Sequence, residues 1–303
     1  MAWSEADIPD LTGRTVLVTG ANSGLGLRTA QVLAAKGAHV LMGCRSVDKG
    51  KAALATIDGA AELLSLDLAD LASVRKAAVE VRERTGDRLD VLINNAGVMG
   101  TPQRTTADGF ELQIGTNHLG HAALTWLLMP AITGRVVTLS SIAHRGPGLD
   151  VTDLNWQRRR YRASAAYSAS KLANLVFAVE LDRRLRAAGS DVISVAAHPG
   201  MTDTELAANS SRARGRIGNA LASTVSFGNR LITQSVARGA LPQLYAATAP
   251  DVTGGEYFGP KGPLEVFGAP GRARPRKAAH NADLGRRLWE RTAELTGVAP
   301  DPQ

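Results

Sequence analysis

Short apolar runs alternate with longer amphipathic stretches along most of this 303-residue chain. Continuous apolar runs are typical of strands buried on both faces, and apolar residues three or four apart are typical of helices that cover a sheet. Because the two patterns alternate, they predict parallel βαβ units. The predicted strands span residues 14–19, 38–43, 62–66, 89–94, 134–140 and 191–197, with a short seventh near 255–258. The predicted helices span residues 24–36, 70–85, 107–130, 164–188 and 229–247.

The alternation contains no internal repeat and no long Gly/Ser linker, so we expect residues 1–303 to form a single domain. The expected fold class is α/β, with one doubly wound, Rossmann-type parallel sheet of about seven strands and helices on both faces. Residues 205–228 follow no regular pattern, and we expect them to form a substrate loop. Residues 268–303 form a tail with a short helix around 284–295.

The composition limits the cellular location and the kinds of disulfide or metal site that we expect. Cys44 is the single cysteine, which excludes an intrachain disulfide and a thiolate metal cluster and favours a reducing cytosol. No stretch approaches the roughly eighteen apolar residues that a membrane span needs. Residues 1–10 carry three acids and a proline, which argues against a signal peptide. We therefore expect a cytoplasmic protein with no membrane span and no metal.

The net charge of +7 is concentrated in basic runs at 158–162, 212–216 and 272–277. Such runs can meet an anionic substrate, an acidic lipid surface or nucleic acid. Solvated loop charge is the interpretation we favour. Because no basic face is interleaved with aromatic residues, we predict no nucleic-acid partner.

A glycine-rich cluster lies between the first predicted strand and the first predicted helix, at residues 19–26. At such a turn, backbone N–H groups cradle a pyrophosphate, and glycine lets the phosphates reach the helix N-terminus. A tight turn without a ligand is the alternative. The glycines are spaced Gly-x-x-x-Gly-x-Gly, and Asn94-Asn95-Ala96-Gly97 and Tyr167-x-x-x-Lys171 follow in that order.

These three motifs together resemble the classical short-chain dehydrogenase/reductase family over about residues 12 to 260. The resemblance implies a nicotinamide cofactor, no metal, and a homodimer or homotetramer that pairs through the helices at 107–130 and 164–188. The contacts that we expect with the cofactor are Gly20, Asn22, Ser23, Gly24, Leu25, Gly26, Arg45, Asp67, Leu68, Asn94, Ala96, Gly97, Tyr167, Lys171, Pro199, Gly200, Thr202 and Thr204.

The second strand bears on the choice of cofactor. Relatives that prefer NAD place an acid after this strand to bind the ribose hydroxyls, and here Cys44 holds that position with Arg45 beside it. Arg45 can pair with a 2′-phosphate, which favours NADP, although NAD stays possible and a surface arginine is the alternative. Asp67 resembles the family's adenine contact but could equally cap the helix that begins at Asp70.

Tyr167 and Lys171 lie four residues apart in a helical pattern and so share one face. A phenol with its ordinary pKa of about 10 is a poor base at neutral pH, and a nearby ammonium lowers that pKa. Tyr167 is therefore the expected proton donor and acceptor, with Lys171 tuning it and holding the nicotinamide ribose. The fifth strand ends in Ser140-Ser141, and the resemblance favours Ser141 as the group that binds the substrate oxygen.

Asn117 lies on a helical stripe that should face the sheet, where an unpaired amide is costly. The resemblance implies that Asn117 holds a water molecule in the proton relay. A purely structural hydrogen bond is the alternative. His121 shares the stripe and is expected to be a core or interface histidine. The stripe consists of Phe110, Ile114, Asn117, His121, Leu124 and Leu128.

The sixth strand ends in His198-Pro199-Gly200. The resemblance implies that this loop and Thr204 hold the nicotinamide carboxamide, although turn chemistry alone explains Pro199-Gly200. The long stretch from Ser141 to Tyr167 and the residues at 167–174 are similar to the retinol-dehydrogenase, WW-domain-oxidoreductase and protochlorophyllide-reductase-like group. That group implies hydride transfer between NADP(H) and a carbonyl or alcohol of an apolar substrate. A catalytically silent NADP sensor or scaffold is one alternative; an ene reductase, epimerase or dehydratase is another.

Overall fold

A computed structural model describes residues 2–202 and 234–302 of the chain. Its centre is one sheet with the strand order β3-β2-β1-β4-β5-β6-β7-β8. The first seven strands run parallel, and β8 is antiparallel to β7. The strands are β1 (Thr15–Thr19), β2 (His39–Cys44), β3 (Ala61–Ser65), β4 (Leu89–Asn94), β5 (Ile132–Leu139), β6 (Ile193–Ala197), β7 (Tyr257–Pro260) and β8 (Pro270–Arg272).

Seven helices pack around the sheet in the described part of the chain. They are α1 (Gly24–Ala35), α2 (Val47–Leu54), α3 (Leu71–Thr85), α4, α5 (Ala163–Ala187), α6 (Val236–Thr248) and α7 (Ala282–Thr296). Helix α4 has three consecutive parts: Leu112–Ile114, a π-helical turn over Gly115–Leu119, and Gly120–Leu128. A π turn inside an α-helix frequently marks a functional position.

Both faces of the sheet are covered, which confirms the predicted α/β fold. One apolar layer joins the sheet to α3, α4 and α5, and another joins it to α1 and α6. The strand order reverses between β1 and β4, which are neighbours in the sheet. In open α/β sheets, ligands bind beyond the carboxyl ends of the strands at such a switch point. The fold therefore predicts a ligand site among the loops that follow β1, β4, β5 and β6.

Several elements differ from the sequence prediction. The sheet has an eighth strand, β8, which pairs with β7 through Phe258 and Arg272. Helix α2 was not predicted, because it is short and buries only Gly50 and Ala53. Helix α4 begins five residues later than predicted, because residues 107–111 precede its first turn. The predicted substrate loop at 205–228 and the start of the helix predicted at 229–247 lie outside the described residues.

The tail contributes to the core. It contains a helix, α7, and this helix packs against α5 and α4. Trp289 of α7 stacks on Phe177 with ring centres 5.6 Å apart and meets Trp126 edge-on at 4.8 Å. The Thr292 hydroxyl hydrogen-bonds His118 at 2.9 Å. Helix α7 thus supports the outer side of α5, the helix that carries Tyr167 and Lys171.

Two of the basic runs have local partners. The Arg159 guanidinium lies 3.8 Å from the centre of the Trp156 ring, and Arg272 pairs with Glu256. Such contacts favour the interpretation as loop charge for these two runs, and the run at 212–216 lies outside the described residues. No helix in residues 2–202 and 234–302 combines the length and the apolar character needed to cross a membrane.

Candidate active site

The glycine-rich turn folds back tightly over the start of α1. Gly20 has a φ of +67° and donates its N–H to the Gly43 oxygen at 2.7 Å, so the turn lies against the end of β2. A Cβ at Gly26 would lie 2.3 Å from the Gly20 oxygen and 2.5 Å from Asn95 Nδ2. Only glycine fits there. The turn therefore leaves backbone N–H groups at the N-terminus of α1 open to an anion, the arrangement a pyrophosphate needs.

Replacing Gly26→Ala tests this turn. The added methyl group must push the Gly20 carbonyl outward, and we expect the Kd for NADPH, measured by fluorescence titration, to rise at least tenfold. Gly148→Ala is the matched control, since a Cβ at Gly148 would have no atom within 4 Å. An unchanged Kd in Gly26→Ala would show that the turn does not hold the cofactor.

The loop after β4 is tied to the end of β1. The backbone amides of Asn95 and Ala96 both donate to Thr19 Oγ1 at 2.9 Å, and Asn95 Nδ2 donates to the Thr19 oxygen at 2.7 Å. Asn94 donates its amide to Thr125 Oγ1 at 2.9 Å and thereby links the sheet to α4. Sequence reasoning missed Thr19, although its position directly before the first glycine of the turn was a usable signal.

The Ser141 and Tyr167 side chains meet at the carboxyl end of β5. Burial raises the pKa of the Tyr167 phenol, and the Ser141 side chain beside it acts in the opposite direction. Ser140 lies deeper, is 3% exposed, and donates its hydroxyl to the Lys171 carbonyl oxygen at 2.8 Å. The structure therefore places Ser141, and not Ser140, beside the phenol.

Lys171 lies one turn further along α5. Its Nζ donates to the Leu139 carbonyl oxygen at 3.1 Å and lies 5.8 Å from the centre of the Tyr167 ring. Burial lowers the pKa of Lys171 to about 8. At neutral pH this lysine is mostly charged. The pKa of Tyr167 is nevertheless raised by burial and not lowered, so the tuning expected from Lys171 stays a prediction.

Asn117 lies in the π turn, and its side-chain amide is fully engaged. Oδ1 accepts from the Val98 amide at 2.7 Å, and Nδ2 donates to the Val98 oxygen and to Ser170 Oγ, both at 2.9 Å. A Cβ at Gly97 would lie 3.1 Å from Asn117 Oδ1 and 3.5 Å from Lys171 Nζ. The amide on the predicted stripe is therefore paired, and the structure brings it close to Lys171. Its expected role in holding a water stays a prediction.

The loop after β6 turns at Gly200, which has a φ of +71°. The Gly200 amide donates to His198 Nδ1 at 3.2 Å, and Thr202 Oγ1 donates to the Pro199 oxygen at 3.0 Å. His198 in turn bonds Glu265 at 3.2 Å, a contact that the sequence did not reveal because the two residues are far apart in the chain. Thr204 lies outside the described residues.

The remaining candidates lie around the ends of β2 and β3. Asp70 caps α3 by accepting the amides of Ala72 and Ser73. Asp67 Oδ1 instead accepts the Ala69 amide at 2.9 Å, so it is not the helix cap. Leu68 is buried, and Arg45 is exposed directly after the end of β2. Asn22, Ser23, Gly24 and Leu25 lie in the glycine-rich turn and the first residues of α1.

The arrangement corresponds to a known protein family. The family model described as short chain dehydrogenase matches residues 14–215, a span that contains all three motifs. The chain belongs to the short-chain dehydrogenase family.

Individual relatives within this family cover almost the whole chain. Human retinol dehydrogenase 13 is 42% identical over 97% of this chain and 87% of its own length. A crystal structure of a protein from Mycobacterium paratuberculosis has a TM-score of 0.83 at 44% identity, with 98% of each chain covered. A short chain dehydrogenase from Burkholderia cenocepacia, solved in complex with NADP, has a TM-score of 0.62 at 25% identity and covers 82% of this chain and 96% of its own.

Membership in the short-chain dehydrogenase family, in its retinol-dehydrogenase group, makes this chain an oxidoreductase that uses a nicotinamide cofactor. The residues present fit such a cofactor. Gly20 and Gly26 form a cradle that a Cβ would fill, and Gly97 lets the loop after β4 pass close to the polar pair Asn117 and Lys171. Ser141 follows the neighbouring strand β5, and Tyr167 lies beside it on α5.

Proposed function

We propose that this protein transfers a hydride reversibly between NADP(H) and a carbonyl or alcohol carbon of an apolar substrate. The observation that carries the proposal is the placement of the Ser141 hydroxyl beside the Tyr167 phenol, with the buried ammonium of Lys171 on the next turn of the same helix. A hydroxyl pair of this kind holds one oxygen atom and exchanges its proton, which is what carbonyl reduction and alcohol oxidation require.

Each side chain has a separate role in the proposed reaction. When bound, the nicotinamide supplies or accepts the hydride. In reduction, the Ser141 hydroxyl donates a hydrogen bond to the carbonyl oxygen, and Tyr167 gives its proton to the same oxygen as negative charge develops there. Lys171 stabilises the resulting phenolate, and its buried position strengthens that interaction. Asn117 is held beside Lys171, where we expect it to hold a water molecule that returns a proton to the lysine. In oxidation each proton moves in the opposite direction.

Arg45 supports the choice of NADP. It follows the end of β2, and Gly43 in that strand accepts the Gly20 amide, so the arginine emerges beside the glycine-rich turn. Cys44, which replaces the acid of NAD-preferring relatives, is buried and leaves no carboxylate there to repel a 2′-phosphate. The relative from Burkholderia cenocepacia was solved with NADP. A guanidinium at this position would bind the 2′-phosphate by charge-assisted hydrogen bonds.

Arg45→Ala tests the cofactor preference. Hydrogen bonds to a charged group contribute about 1.5–3 kcal/mol, so we expect the Kd for NADPH to rise at least about tenfold while the Kd for NADH stays the same. Fluorescence titration with both cofactors measures this. Arg88→Ala is the control, because Arg88 is exposed at the opposite, amino-terminal end of β4. Equal losses for NADPH and NADH would remove Arg45 from 2′-phosphate recognition.

The substrate class rests on the retinol-dehydrogenase relatives, since retinol is a bulky apolar alcohol. Oxidation of NADPH, followed at the nicotinamide absorption band with long-chain aldehydes, retinal and small polar ketones, tests it. Turnover of the apolar aldehydes supports the proposal, and turnover of the polar ketones alone would contradict it. Tight NADPH binding without any turnover would favour the sensor alternative. A product reduced at a carbon–carbon double bond would favour the ene reductase. A cytoplasmic location and a homodimer or homotetramer stay predictions.

A further inference from the structure

His121 joins the end of β1 to the π turn of α4. It is 1% exposed, and each ring nitrogen has a partner: Nδ1 lies 2.9 Å from the backbone oxygen of Asn117, and Nε2 lies 2.9 Å from Thr19 Oγ1. A carbonyl oxygen only accepts, so Nδ1 carries the ring proton and Nε2 accepts from Thr19. Thr19 Oγ1 already accepts the backbone amides of Asn95 and Ala96, and its own proton has His121 Nε2 at 2.9 Å as the nearer acceptor, with the Ile93 carbonyl oxygen at 3.4 Å.

These bonds close a ring around the loop at 95–98. At one end of the loop, Asn95 and Ala96 are held by Thr19, and Thr19 is held by His121. At the other end, Val98 is held by two hydrogen bonds with the Asn117 side chain. The backbone of Asn117 is itself the second partner of His121. Helix α4 therefore holds the loop from both ends, and His121 is the only link in the ring that contacts both β1 and the π turn.

The middle of this loop borders the catalytic groups. Gly97 approaches Asn117 Oδ1 and Lys171 Nζ so closely that a Cβ there would lie 3.1 Å and 3.5 Å from them. A loop that shifts relative to α4 therefore changes the distance between the cofactor-facing backbone and the lysine. Displacements of about 1 Å can lower turnover about a hundredfold.

We propose that His121 is a positioning residue that keeps the cofactor loop at 95–98 in register with Asn117 and Lys171. It acts through Thr19 and the Asn117 carbonyl, and it does not touch substrate or cofactor. Its effect on turnover rests on the proposed function, whereas its hold on the loop belongs to the protein without cofactor.

A neutral imidazole can make both hydrogen bonds at this position. Burial lowers the pKa of His121 to about 4, and the nearby Lys171 charge acts in the same direction. At neutral pH the ring therefore keeps one donor and one acceptor on opposite edges, and both are used here. Phenylalanine would fill a similar volume and supply neither.

The first experiment compares His121→Phe with His118→Phe. His118 lies in the π turn of the same helix, is equally buried at 1%, and bonds Thr292 of α7 instead of Thr19, so it controls for the loss of a buried histidine. Amide hydrogen exchange in the cofactor-free protein should be at least about tenfold faster at Asn95 and Ala96 in His121→Phe and unchanged there in His118→Phe.

Steady-state kinetics give the second readout. We expect kcat to fall about a hundredfold in His121→Phe and to change less than about threefold in His118→Phe, with similar melting temperatures for the two variants. His121→Gln retains one donor and one acceptor and should recover at least about a tenth of the wild-type kcat. This variant also tests the proposal if His121→Phe does not fold.

Two results would overturn the inference. One is unchanged exchange at Asn95 and Ala96 in His121→Phe. The other is an equal fall of kcat in both phenylalanine variants, which would show a general packing effect. If the wild type turns over no carbonyl at all, the proposed function fails, and the exchange measurement alone still decides the role of His121.

Discussion

Tyr167→Phe is expected to bind NADPH as the wild type does and to lose kcat by about a thousandfold or more, within the range that a general acid–base group contributes. In the proposed reaction the phenol oxygen exchanges the proton, and the substitution removes this oxygen from beside Ser141. The ring remains, so the packing of α5 on the sheet is retained. Stopped-flow turnover and fluorescence titration of NADPH measure the two quantities separately.

Tyr161→Phe is the matched control. Tyr161 also lies partly buried near the start of α5, but its hydroxyl hydrogen-bonds the Thr101 oxygen at 3.0 Å and does not contact Ser141. We expect its kcat to stay within about threefold of the wild type. Turnover in Tyr167→Phe at the wild-type rate would refute the catalytic assignment, and loss of NADPH binding in that variant would point to a cofactor contact instead.

Lys171→Met is expected to lower kcat at least about a hundredfold and to stabilise the fold at pH 7. Burial lowers the pKa of Lys171 from 10.5 to about 8, so the folded protein binds this proton more weakly than the unfolded chain. Burying the charged amine therefore lowers the free energy of unfolding. This loss of stability is fully present below pH 8, decreases between pH 8 and 10.5, and is absent above 10.5. The variant should therefore gain up to roughly 3 kcal/mol at pH 7.

Urea unfolding across pH 7 to 11 tests the stability effect. Methionine removes the Nζ bond to the Leu139 oxygen, but this oxygen keeps the Asn174 amide at 2.9 Å as a donor. Lys51→Met, at an exposed lysine of α2, is the control and should show no pH-dependent difference. A lysine variant that is less stable than the wild type at pH 7 would show that burial of the ammonium does not oppose folding.

The main elements of the fold could be predicted because most of the buried parallel strands contain a run of apolar residues. Strands β1, β2 and β4 through β6 follow directly from that pattern. Strand β8 could not be predicted, because Pro270–Arg272 has no apolar run and becomes a strand only through its pairing with β7. Helix α2 was missed for a related reason, since its sequence presents too narrow an apolar stripe for a periodicity argument.

The candidate site, like the fold, could be predicted only in part from the sequence. The motifs predicted a catalytic set, and the structure brings its members together near the ends of neighbouring strands: Ser141, Tyr167, Lys171 and Asn117. Periodicity could not reveal the π turn, because Asn117 and His121 share one face in either helix type. Nor could it show that the Ser140 hydroxyl is taken up by the Lys171 carbonyl. Both depend on how α4 and α5 seat against the sheet, which only tertiary packing decides.

Helix α7 has a consequence for assembly. The resemblance to the family marks the helices at 107–130 and 164–188 as the surface through which two copies pair, yet here Trp289 of the same chain lies against Trp126 and Phe177 of those helices. A second copy could occupy that area only by displacing α7 and exposing a buried tryptophan. Helix α7 thus covers part of α5, and any association between copies that leaves α7 in place has to use a surface other than the area around Trp126 and Phe177.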